Sequence, residues 1–146
     1  MYHDDIALLI LKEPVENICP ITLPGKNLRF THGYAKLVGW GKIGYNKEDD
    51  TDILRVADVR LVKPQLAERV FDMTLTNGEI VTMTPGKIAM KGDSGSPLII
   101  TDAIKGQILI GVLSSGGTNT NEPDIYMSTS FYYDFIQTHR FGCLTY

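Results

Sequence analysis

Cysteine, histidine and tryptophan are scarce in this chain of 146 residues, which has two cysteines, three histidines and one tryptophan. Two cysteines, Cys19 and Cys143, do not define a disulfide framework. No apolar run reaches the roughly 18 residues that a membrane-spanning helix needs. The start, Met1-Tyr2-His3-Asp4-Asp5, is polar and lacks the pattern of a secretory leader. The net charge is −3 and no basic stripe exists, so nucleic acid is not an expected partner. The acidic cluster Asp49-Asp50-Thr51-Asp52 lacks the ordered carboxylate spacing of a calcium loop. With Lys47 and Glu48 it reads as a solvated loop, and no metal or cofactor is expected. Internal repeats and low-complexity segments are absent too.

What remains is ordinary for a single globular domain: 43% hydrophobic and 21% charged residues. Seven short segments read as strands: Ile6–Leu11, Tyr34–Val38, Leu54–Val62, Glu79–Thr82, Ser96–Thr101, Ile108–Ser114 and Ile125–Thr129. Leu54–Val62 alternates apolar with polar or small residues, the period of a half-buried strand. Pro24-Gly25, Asn77-Gly78 and Pro85-Gly86 supply turns, and Asn77-Gly78 between Leu75 and Ile80 is a hairpin signal. Many short strands with turn signals between them predict an all-β barrel. A short helix is expected near Pro64–Val70. A second is expected in Phe131-Tyr132-Tyr133-Asp134-Phe135-Ile136, where the apolar spacing is helical.

The chemistry concentrates in Gly92-Asp93-Ser94-Gly95-Ser96-Pro97. Glycines beside Ser94 permit a tight bend that leaves its hydroxyl accessible. The amides of Gly92 and Ser94 can then converge on one oxygen as an oxyanion hole. A serine hydroxyl needs a base to become a nucleophile, so the question is where that base lies.

The hexapeptide resembles the nucleophile segment of chymotrypsin-like (trypsin-family) serine peptidases, usually GDSGGP, with Ser96 in place of a glycine. Other segments extend the likeness. Asp5 before Ile6-Ala7-Leu8-Leu9 is similar to the family's catalytic aspartate in DIALL. Gly39-Trp40-Gly41 is similar to the opening of the family's second barrel. Ile53–Val62 resembles its next strand. Gly111–Gly117 resembles a wall of its specificity pocket, and Pro123-Asp124-Ile125-Tyr126 its Pro-Gly-Val-Tyr segment. The resemblance covers Asp5 to about His139. It implies a trypsin-like antiparallel β-barrel with a short C-terminal α-helix. Residues 1–32 would be the end of a first barrel and a linker, 33–130 a second barrel, and 131–140 the helix.

The resemblance also implies roles. Asp5 would orient a histidine and Ser94 would attack a peptide carbonyl. Asp93 would pair with a freed N-terminal ammonium. Ile88 stands at the pocket base, where trypsin-like members carry an aspartate. Ser114 corresponds to the serine bonded to the catalytic aspartate, Ser115 replaces the usual tryptophan, and Gly116 keeps the pocket open. Asp124, where the family has glycine, either binds a basic side chain or fills the space. A specificity other than clean trypsin type follows.

The family order is His, Asp, Ser, and none of His3, His32 and His139 stands in the family's Ala-Ala-His-Cys setting. The expectation is a domain lacking the histidine-bearing part of the first barrel: a serine endopeptidase by family, incomplete or inactive alone. The alternative is a non-catalytic homologue that acts by binding protein. Expected partners are a peptide or protein substrate, the missing barrel half, or an inhibitor. A secreted location follows from the family only. Asp93, without its ammonium, is expected to leave its loop rearranged or mobile. Met90 replaces the family's cysteine before the nucleophile, so that disulfide is lost. Cys19 pairs outside this chain, pairs with Cys143, or stays free. The uncovered inner face of the barrel predicts poor solubility.

Overall fold

The computed structural model describes residues 3–46 and 51–139. Cys143, Lys47, Glu48, Asp49 and Asp50 therefore lie outside the described residues. Six strands close into an antiparallel barrel: β1 (Tyr34–Gly39), β2 (Arg55–Val62), β3 (Glu79–Thr82), β4 (Pro97–Asp102), β5 (Gly106–Ser115) and β6 (Asp124–Ser128). Their order around the barrel is β1-β2-β3-β6-β5-β4, so β1 closes on β4 through Lys36–Ile99 and Leu37–Leu98. Helix α1 (Gln65–Phe71) links β2 to β3, and α2 (Tyr133–His139) follows β6. The all-β barrel with a C-terminal helix is the fold that the sequence predicts.

Alternation explains the packing. In β1, Ala35, Leu37 and Gly39 face inward while Tyr34 and Lys36 face out. The core joins Ala35, Leu37, Val59, Leu61, Ile80, Leu98, Ile110, Leu113 and Tyr126, all buried. Leu98, Ile110 and Tyr126 are fully enclosed at 0% exposure, so their loss would be felt most. A smaller cluster, Ala67, Leu75, Val81 and Ile125, seats α1 on the barrel. That helix follows Pro64, as a first-turn proline permits, and stops at Asp72 in a left-handed conformation with φ 49°. The β4–β5 connection turns at Gly106 (φ +72°), with the Asp102 carboxylate accepting the Ile104 and Lys105 amides at 2.9 and 2.8 Å. Those bonds hold its carboxyl below the usual carboxylate range.

Two expectations about elements need correction. Ile6–Leu11 is not a strand; it runs extended and unpaired, with Leu9 90% and Leu11 60% exposed. A strand needs a neighbour for its ladder, and among the described residues none is offered. Asn77-Gly78 does form a turn, but only Glu79 onward is strand, so it is not a hairpin loop. Its turn is held instead by Thr76 Oγ1, which accepts the Gly78 amide at 2.9 Å.

Residues 3–30 lie along the barrel as a strap with few anchors. Thr22 bridges Ile108 in parallel, and the Leu109 amide donates to the Thr22 carbonyl at 3.0 Å. The Ser130 hydroxyl donates to the Gly25 carbonyl and accepts from the Leu28 amide at 2.7 Å. At the start of the strap, His3 Nδ1 meets the buried Glu79 at 3.1 Å and the Tyr132 hydroxyl donates to Asp4 at 2.7 Å. Cys19 is exposed and, among the described residues, free.

Candidate active site

Ser94 sits in the connection between Met90 and β4. Gly92 (φ +99°) and Gly95 (φ +82°) flank it with backbone angles that other residues resist, so the bend is encoded in their identity. The bend is stitched to β5 on its far side. The Gly95 amide donates to the Leu113 carbonyl and the Leu113 amide to the Ser96 carbonyl, each at 2.9 Å. Ser94 is left exposed. The Asp93 amide is spent on the Met90 carbonyl at 3.0 Å, whereas the Gly92 and Ser94 amides have no acceptor among the described residues.

The pairing of β5 with β6 shifts between Leu113 and Ser115, leaving Ser114 out of the ladder. A bulge of this kind re-aims one side chain. The Ser114 hydroxyl turns to the strap and donates to Asp5 Oδ2 at 2.7 Å. Asp5 and Ser94 both line an open cleft of ≈ 600 Å³, with Ile6, Ala7, Val112 and Leu113. Asp5 is exposed there, not buried, because nothing among the described residues covers that side of the cleft.

The three histidines are elsewhere. His3 is bound to Glu79, His32 is exposed in the turn before β1, and His139 lies at the end of α2 against the Phe135 carbonyl at 2.8 Å. Among the described residues no cluster could hold a metal ion, and no helix is long and apolar enough to cross a membrane.

Asp93 is held by backbone amides of its own domain. It is buried at 8% exposure and accepts the Gly41 amide at 2.8 Å and the Met90 amide at 2.9 Å. Two backbone donors compensate the burial of a carboxylate that would otherwise be costly. The space comes from Gly39 and Gly41. A Cβ on either would overlap the Asp93 carboxylate. The likeness around Trp40 was legible in sequence; this use of its flanking glycines was not.

Asp124 also lies inward, at 2% exposure. Both its oxygens accept the Ala89 amide, at 3.2 Å each. Burial pushes its carboxyl up to about 7, with the Asp93 charge adding to the rise. Gly116 approaches the facing segment closely: a Cβ there would lie 2.7 Å from the Ala89 carbonyl oxygen and 3.2 Å from Asp124 Oδ1. A Cβ on Gly117 would lie 3.0 Å from Ile88 Cδ1. Ser115 is exposed at the end of β5.

A sequence profile of the Trypsin family matches residues 1–136. The chain belongs to the trypsin family. Factor V activator of Macrovipera lebetinus is 30% identical over 144 residues, which is 92% of this chain and 53% of that protein. Kallikrein 1-related peptidase b3 of Mus musculus is 35% identical over 133 residues, 85% of this chain and 47% of that protein. Snake venom serine protease homolog KN4 of Trimeresurus stejnegeri is 30% identical over 148 residues, 93% and 54% respectively. The chain thus spans about half the length of these trypsin-family relatives.

Proposed function

We propose that this chain carries the nucleophile half of a serine endopeptidase centre and does not hydrolyse peptides by itself. The observation that supports this reading is the shared cleft of Ser94 and the Ser114-bound Asp5, with all three histidines placed elsewhere. Ser94 is the nucleophile for acyl transfer, and the Gly92 and Ser94 amides are its oxyanion hole. Asp5 orients a histidine that a segment outside this chain supplies, as the carboxylate does in this family's own triad. Asp93 holds the loop. The substrate is a peptide or protein. Its side-chain pocket lies between Ile88–Met90 and Ser114–Gly117, with Asp124 beneath. The location is extracellular, a reading supported by the snake venom protein among the relatives.

A second reading is a non-catalytic homologue that binds protein, and the closed approach of Gly116 to Ala89 favours it. A fluorophosphonate probe separates the two. With the chain alone, Ser94 labels no faster than an ordinary serine. With a chain that supplies the histidine, labelling rises and is lost in Ser94→Ala. Robust labelling of the chain alone would overturn the proposal, and no labelling with the histidine supplied would favour the binding homologue.

A further inference from the structure

Asp5 is exposed, yet contacts on both sides of it fix its place. Its own carboxylate accepts the Ser114 hydroxyl at 2.7 Å. Two further contacts act on the residues just before it. His3 Nδ1 faces Glu79 Oε1 at 3.1 Å, and the Asp4 carboxylate accepts the Tyr132 hydroxyl at 2.7 Å. Asp4 has φ 62°, a left-handed conformation that a residue with a Cβ keeps only when its surroundings hold it there. Its turn is closed by the Ile6 amide, which donates to the Asp4 carbonyl at 2.8 Å. Asp5 is the residue inside that turn.

The holding groups form one platform beneath the start of the strap. Glu79 opens β3, and its side chain has 0% exposure. Thr76 gives Glu79 Oε2 two donors, its amide at 2.7 Å and its hydroxyl at 2.6 Å, which compensate the burial of the carboxylate. The other oxygen is left to face His3. Tyr132 comes just before α2; its amide donates to the Ser128 carbonyl at 3.0 Å, and the Ser128 amide donates to the Gly78 carbonyl at 2.8 Å. The Tyr132 hydroxyl lies over that same turn, since a Cβ on Gly78 would stand 3.0 Å from it. Burial pushes this hydroxyl up, and so do its bond to Asp4 and the charges of Asp4 and Glu79, so it remains a donor at neutral pH. Neither Glu79 nor Tyr132 lines the cleft of Ser94, so neither touches a reacting group there.

We propose that Glu79 and Tyr132 are positioning residues for Asp5: they clamp His3 and Asp4 so that the Asp5 carboxylate is presented to Ser114 in the cleft it shares with Ser94. This rests on the reading of Asp5 as the carboxylate that orients a histidine. One hydroxyl bond to an exposed carboxylate is modest and leaves the backbone on either side free to turn. Fixing the two preceding residues removes that freedom before a histidine arrives. Less ordering is then left to do when the site is completed, and the carboxylate is already in place.

The test uses the full chain with isotope-labelled aspartate, so that NMR reads the Asp5 Cγ resonance directly, together with amide exchange. A double variant, His3→Ala with Tyr132→Phe, opens the clamp and spares the barrel core, because His3 is exposed and the second change removes only a hydroxyl. In it the Asp5 resonance moves toward its unfolded-chain position and the Ile6 amide exchanges several-fold faster. The Leu109 amide, which donates to the Thr22 carbonyl further along the strap, keeps its wild-type rate. His3→Asn with Tyr132 intact, which keeps a donor toward Glu79, retains the wild-type resonance. An unchanged Asp5 resonance with unchanged Ile6 exchange in the double variant would overturn the clamp. Equal loosening at Leu109 would overturn it too, since the two residues would then be a general anchor of the strap. Free imidazole tests the reading of Asp5 separately. It should raise fluorophosphonate labelling of Ser94 in the wild type, and several-fold less in Asp5→Asn and in the double variant. Equal stimulation of wild type and Asp5→Asn sinks that reading, while the resonance and exchange still decide the clamp. A loss in Asp5→Asn with none in the double variant overturns the positioning role.

Discussion

Asp93 and Asp124 take successive backbone amides of one segment: the Met90 amide donates to Asp93 at 2.9 Å and the Ala89 amide to Asp124 at 3.2 Å. Two buried carboxylates thus grip the stretch that leads into the nucleophile bend. Asp93 is further satisfied by the Gly41 amide. The grip fixes Ala89 and Met90 from below and ties the nucleophile loop to the barrel mouth.

Acidification should strengthen the fold through Asp124. Its carboxyl titrates near 7 when folded against 3.8 for the unperturbed group. Between those values the folded state binds the extra proton, so this group's contribution is fully present below about pH 4 and is lost as pH rises through about 7. The size is on the order of a few kcal/mol, since each tenfold change in proton affinity is worth about 1.4 kcal/mol. Urea melts at about pH 5 and pH 8 measure it. The difference should shrink markedly in Asp124→Asn; an unchanged difference would show that the slope comes from other groups.

Gly41→Ala should destabilise the chain by about 2–3 kcal/mol and release the nucleophile loop, because the new methyl group would overlap the Asp93 carboxylate. Gly25→Ala, whose nearest neighbour would be Leu28 Cδ1 at 3.7 Å, should change stability by less than about 0.5 kcal/mol. Denaturant midpoints compare the two. Equal midpoints would mean that Asp93 does not occupy the space those glycines leave.

Leu98→Ala should cost about 2–5 kcal/mol, since the side chain is fully enclosed at the β1–β4 closure and its removal opens a cavity. Leu9→Ala, on a residue 90% exposed, should cost almost nothing. Its effect appears instead in association. Leu9, Leu11, Ile18 and Trp40 are all exposed apolar residues, so the isolated chain should self-associate. Sedimentation should show less association for a Leu9→Lys, Leu11→Lys double variant. A wild type that sediments as a single monomer contradicts the prediction.

Ser114→Ala should leave thermal stability within about 1 kcal/mol, because the hydroxyl is only half-buried and its bond to Asp5 is exposed. The strap should nonetheless loosen. Proteolytic cleavage between Ile6 and Leu11 should speed up several-fold, and Ser114→Thr should restore the wild-type rate. No change in cleavage would show that Asp5 is held by other contacts.

How much was readable in advance differs from element to element. β2 shows in the alternation of Ile53–Val62, and the bend at Ser94 in its two glycines, because strand period and glycine conformation are local properties of residue type. Ile6–Leu11 misled for the same reason: its apolar run has the composition of a strand, but a strand exists only if another backbone pairs with it. Asp93 is a different case. Its expected partner was a charge, whereas the structure satisfies it with the Gly41 and Met90 amides. Backbone amides have no letter in a sequence, so donors of this kind cannot be counted there. The histidine question was answered alike at both levels, since no residue type other than histidine was in doubt.

By itself the sequence determined the trypsin family, the closed antiparallel barrel, and which serine and aspartate are the candidates for chemistry, because each rests on local pattern and residue identity. Only the tertiary structure decided three things: that the bulge aiming Ser114 at Asp5 falls between Leu113 and Ser115, that Asp93 takes two backbone amides with no partner charge among the described residues, and that Asp124 lies buried on the Ala89 amide. Each depends on where a bulge falls, how near two backbones come, or which amides face a buried carboxylate. Those are distances between segments far apart in the chain, set by packing of the whole barrel.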